Sequence, residues 1–75
     1  MEKGNEFYKK QFQARLKDLC AEKGYSQKAV ADRLGLPVST YANWEQGRTE
    51  PSIFDLFQLL KVFEIEANDL FAVEE

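Results

Sequence analysis

At 75 residues, 44% hydrophobic and 31% charged, the chain is expected to be one small folded domain rather than a disordered one, at a size where a single core only just suffices. One cysteine rules out an internal disulfide, and the absence of histidine rules out a His-based metal site or general base. The net charge of −3 is unevenly spread: residues 1–35 carry eight Lys and Arg against five Asp and Glu, and residues 36–75 carry two against eight. Local sign, not the mean, decides which face can approach phosphate.

No N-terminal apolar h-region and no apolar run of membrane-spanning length is present, so a cytoplasmic protein with no membrane partner is expected. Ten aromatic residues supply large side chains for the core.

The first helix is predicted from about residue 6 to Lys23. Tyr8, Phe12, Leu16, Leu19 and Cys20 form its apolar stripe, and Lys9, Lys10, Gln13, Lys17 and Glu22 its wet side. Gly24, Gly35 and Gly47 each follow a helical segment, where a residue with positive φ is wanted. Ser26 is a good N-cap for a second helix reaching about Leu34, with Val30 and Leu34 inward and Ala31 small enough for a close crossing. Leu36 plugs the core from the turn. Pro37 opens a third helix running to Gln46, since its missing N–H would be unpaired there anyway.

Thr49-Glu50-Pro51 reads as a loop. Ser52 with Asp55 resembles a capping box for a fourth helix to about Phe63, with Ile53, Leu56, Leu59, Leu60 and Phe63 inward. A short fifth helix is predicted over Ala67–Ala72, anchored by Leu70 and Phe71. No segment alternates with period two. The fold class is therefore all-α, a single domain over 1–75 with a helix-turn-helix core at about 26–47.

At about 100° per residue, Pro37, Thr40, Tyr41 and Trp44 share one side of the third helix, and Val38, Ser39, Ala42, Asn43 and Gln46 the other. The outward set is short and uncharged, which lets a helix backbone sit deep in the major groove of DNA. Asn43 suits a bidentate pair with adenine, Ser39 can donate or accept, and Val38 and Ala42 offer apolar contact to thymine methyls. The same residues also fit an ordinary polar helix surface.

Ser26-Gln27, Val30-Ala31, Leu34-Gly35-Leu36, Ser39-Thr40, Trp44-Glu45, Gly47-Arg48, Pro51-Ser52, Leu56, Leu59 and Asp69-Leu70-Phe71 form one ordered series. The series resembles the helix-turn-helix domain of the Cro and lambda-repressor-like, or Xre-type, transcriptional regulators, from about Leu16 to Phe71. The resemblance implies a five-helix lambda-repressor-like DNA-binding domain. It implies a sequence-specific regulator, a small bacterial or phage repressor associated with the nucleoid.

By that likeness, Val38, Ser39, Ala42 and Asn43 read bases. Gln27, Gln46, Arg48 and Thr49 touch phosphate, Gln27 beside the N–H groups of a helix start. Lys28 adds a contact from the same start. Two departures stand out. The family commonly has an arginine in helix one paired with the glutamate matching Glu45, and here that position is Cys20. Glu45 then needs another partner, Arg48 or a backbone donor, or becomes more exposed. The reading helix also lacks Lys and Arg before Arg48, which implies weak monomer binding and shallow salt dependence.

The resemblance further implies a two-fold dimer on duplex DNA, spanning two half-sites about one helical turn apart. Phe63, Ile65, Leu70, Phe71 and Val73 are more apolar residues than one short terminal helix needs, and part of this set is expected at a homodimer interface. The alternative use of the fold is a protein-interaction module, an antitoxin or adaptor, which the acidic back half favours. No catalytic residue, metal or cofactor is expected. Glu64, Glu66, Glu74 and Glu75 read as surface charge, and Cys20 as a small core residue.

Overall fold

The computed structural model describes residues 4–71. Those residues form five helices: α1 (Asn5–Lys23), α2 (Gln27–Leu34), α3 (Val38–Gln46), α4 (Ile53–Phe63) and α5 (Ala67–Phe71). Each of the first four stops on a residue in the left-handed region. For α1, α2 and α3 that residue is glycine; for α4 it is Glu64, with φ 56°. Glu64 adopts the same reversed turn without a glycine, its N–H bonding back to the Lys61 carbonyl at 3.2 Å.

Starts are set by side chains. Ser26 Oγ accepts from the Ala29 N–H at 3.0 Å. The predicted capping box is present: Ser52 Oγ accepts from the Asp55 N–H, and Asp55 Oδ2 accepts from the Ser52 N–H, each at 3.1 Å. Pro37 is the cap of α3 rather than its first helical residue. Its ψ of 146° is extended, so the helix begins one residue later, at Val38.

The core gathers Leu16, Leu19 and Cys20 from α1, Val30 and Ala31 from α2, Tyr41 and Trp44 from α3, Leu59 and Phe63 from α4, and Leu70 from α5. Leu36 packs against this cluster from the turn, as its position between Gly35 and Pro37 suggests. Arg15 ties α5 to α1, donating through Nε to the Asp69 carbonyl and through Nη1 to Glu22 at 3.1 Å.

Two inward expectations are corrected. Tyr8 is exposed, because α1 at 19 residues is far longer than the other helices and its first turns carry little packed against them. Ile53 is also exposed. It lies roughly a quarter-turn around α4 from the line of Leu59 and Phe63, on a helix side that no other described element covers. No described helix is long and apolar enough to cross a membrane.

Candidate nucleic-acid interface

α3 has one side in the core and the other at the surface. Tyr41 and Trp44 are buried and meet edge to face, their centroids 6.0 Å apart, which fixes the helix's rotation about its axis. That rotation turns Val38, Ser39 and Gln46 to solvent, with Ala42 and Asn43 half-buried beside them. The four expected base-reading residues therefore share one accessible face of α3. Small side chains at its middle let a groove wall approach the backbone.

The ends of the helices make this face more favourable to an anion. α2 and α3 have no acidic residue in their first turn, whereas α1, α4 and α5 each have one. The first N–H groups of a helix lack intrahelical acceptors and carry partial positive charge. At α2 and α3 the first turn itself supplies no carboxylate to those N–H groups.

Of the expected phosphate contacts, Gln27, Lys28, Gln46, Arg48 and Thr49 are all exposed. Lys28 is paired with Asp32 at 2.9 Å, a surface pair of little net strength. The Arg48 N–H returns to the Asn43 carbonyl at 2.9 Å, so the turn that ends α3 sets where Arg48 emerges. The backbone at Gly47 favours glycine. Its φ is 77°, and a Cβ would run into the Gln13 side chain, which is half-buried rather than fully wet.

Glu45 is the departure from expectation. Although charged, it is 94% buried at the floor of the interface. Its partner is neither Arg48 nor a backbone donor: Oε1 accepts from Gln27 Nε2 at 3.0 Å, and Oε2 accepts from the Cys20 thiol at 3.6 Å. Cys20 Sγ in turn lies 3.1 Å from the Tyr41 hydroxyl. Burial pushes the Cys20 thiol pKa up; the Tyr41 hydrogen bond opposes this, and the neighbouring Glu45 adds to the rise. Burial likewise pushes Tyr41 up. Both groups therefore stay protonated and available as neutral donors at pH 7. Among the described residues no Lys or Arg forms an ion pair with Glu45. The sequence signal was the cysteine at the arginine position; the identity of the replacement donors was not in it.

The expected dimer residues divide. Phe63 and Leu70 are 0% exposed and belong to the monomer core, because α4 packs on α2 and α5 packs on α1. Ile65 packs partly into the same core, Phe71 remains 38% exposed while stacking on Phe12, and Val73 lies outside the described residues. The apolar surface sits on α4 instead. Ile53, Phe54 and Phe57 are 74%, 68% and 61% exposed. Ile53 and Phe57 join Leu56, Leu60, Ala67 and Phe71 around a groove of about 140 Å³. Sequence reasoning missed Phe54 and Phe57, although their wheel positions away from Leu59 and Phe63 were a usable signal.

Known proteins resemble this arrangement. The helix-turn-helix family model HTH_3 matches residues 16–70. The HTH-type transcriptional regulator AnsR of Bacillus subtilis is 36% identical over 61 residues, which are 81% of this chain and 53% of AnsR, so the chain spans about half the length of that relative. The HTH-type transcriptional regulator YgzD of the same organism, itself uncharacterized, is 33% identical over 61 residues, 81% of this chain and 92% of YgzD. The crystal structure of the restriction-modification controller protein C.AhdI from Aeromonas hydrophila superposes with a TM-score of 0.78 at 32% identity, covering 84% of this chain and 96% of that one. With the match running across most of the chain and all five helices in place, the protein belongs to the HTH_3 helix-turn-helix family.

Proposed function

We propose that the chain is a sequence-specific DNA-binding transcriptional regulator, acting as a repressor, that lays α3 in the major groove. The observation that carries this is the α3 surface: a small, uncharged face flanked by two helix N-termini without acids. Asn43 takes an adenine edge, Ser39 a second base, and Val38 and Ala42 pack on thymine methyls. Gln27, Lys28, Gln46, Arg48 and Thr49 hold the phosphate backbone and set the register. Relatives described as transcriptional regulators support the same reading.

The functional form is a homodimer in which α4 and Phe71 of one copy cover those of the other. Exposed Ile53, Phe54 and Phe57 support this assignment, since a monomer gains nothing from leaving three large apolar side chains in water. Two α3 helices then read two half-sites, which supplies the contacts that one weakly basic domain lacks. The same patch, with the acidic back half around it, favours the second reading, an antitoxin or adaptor that docks another protein.

Selection from random duplexes at low salt tests the first reading. A two-fold symmetric motif with half-sites about one helical turn apart is expected. Enrichment of no motif, with a different protein copurifying in near-equal amount, replaces it with the second.

A further inference from the structure

We infer that Glu45 is a positioning residue for phosphate recognition: buried beneath the interface, it holds the Gln27 amide in the pose that meets the DNA backbone. The inference rests on the DNA-binding reading and adds the device that orients one of its contacts. Gln27 is the first residue of α2, at the acid-free start of that helix, and is itself exposed. An exposed glutamine normally samples many rotamers, and ordering it on binding costs affinity. Here Nε2 is already committed to Glu45 Oε1 at 3.0 Å.

The commitment is strong for a physical reason. A buried carboxylate needs donors, and no ion pair supplies them among the described residues. Its other oxygen is met by the long thiol contact from Cys20, with the buried Tyr41 hydroxyl beside it, and neither donor is charged. Swinging Gln27 away would leave a charged acceptor short of its best partner, so the amide stays put. An amide nitrogen carries two hydrogens. One points inward to Glu45, and the other is left for a phosphate oxygen at the start of α2. With Cys20 rather than a cation facing it from α1, Glu45 is satisfied by a residue of the binding surface. That couples the buried network of Cys20, Tyr41 and Glu45 to DNA affinity.

A double-mutant cycle on the selected operator tests this, with Gln27→Ala and Glu45→Met as the two changes. Methionine keeps the volume and removes the acceptor. Glu45→Met is expected to weaken binding about tenfold when Gln27 is present, the order of one well-formed hydrogen bond, and less than twofold when residue 27 is Ala. Glu45→Gln keeps a carbonyl acceptor and is expected to bind within about twofold of the parent chain.

Equal losses from Glu45→Met in both backgrounds would overturn the inference, because the role would then be purely structural. So would an unchanged affinity on Gln27→Ala, although the DNA-binding reading would survive it. Absence of any selected operator removes that reading itself, a separate result. Should Glu45→Met not fold, side-chain ¹⁵N relaxation of the unaltered protein decides: a Gln27 amide much more rigid than that of exposed Gln46 supports the inference, and equal mobility overturns it.

Discussion

Helices α3 and α4 are neighbours in sequence and of similar length, yet they present opposite surfaces. α3 shows small uncharged side chains and starts behind a proline that offers no capping side chain. α4 shows Ile53, Phe54 and Phe57, and its start is closed by the Ser52–Asp55 box. A carboxylate at a helix N-terminus stabilises the helix and repels phosphate. In the proposed reading α4 is the less favourable helix for a DNA backbone and α3 the more favourable one. The comparison teaches that cap chemistry and side-chain size together decide which partner each helix can meet.

The largest expected effect breaks the α4 side. Phe57→Asp puts a charge into the proposed interface and should convert a dimer to a monomer in light scattering. Operator affinity should fall by about a hundredfold, as for loss of a central apolar anchor. Helicity should persist, because Phe57 is exposed in the monomer. A strictly monomeric parent chain, with and without DNA, removes the distinction at its root.

The next effect breaks the α3 side. Asn43→Ala should cost about 1–3 kcal/mol on the operator and relax one base position, leaving the oligomeric state unchanged. Arg48→Ala, by contrast, should weaken all sequences alike and reduce the slope of log affinity against log salt by about one. Titrations against single-base operator variants separate the two.

Helix stops provide a finer comparison. Gly47→Ala should destabilise by about 1–2 kcal/mol, since it forces a Cβ into a left-handed residue and against Gln13. Glu64→Gly at the matching position of α4 should do the reverse and stabilise by up to about 1 kcal/mol. Urea midpoints measure both. The smallest effect sharpens the N-terminal contrast: Ser52→Ala should lower stability by about 1 kcal/mol while changing DNA affinity less than twofold.

Much of this organisation was legible in the chain. Ser26 and Ser52 marked helix starts, Gly24, Gly35 and Gly47 marked stops, and the wheel of 37–46 separated Tyr41 and Trp44 from Val38, Ser39 and Asn43. The end of α4 had no such mark, because Glu64 adopts the glycine conformation without being glycine. Apolar residues crowd the C-terminal third, which makes Phe63 and Leu70 candidates for either an interface or the core. Periodicity alone does not say whether another copy or the chain's own helices bury them.

Caps, stops and faces were determined by the sequence itself, because they depend on residues three or four positions apart on one helix. Tertiary structure alone decided which apolar faces were already covered, leaving Phe54 and Phe57 in solvent and Phe63 inside. It also decided the pairing of Gln27 with Glu45, eighteen residues apart. That bond exists because α2 and α3 pack directly against each other. No local pattern encodes a crossing angle. It is the outcome of all five helices competing to bury the same small core.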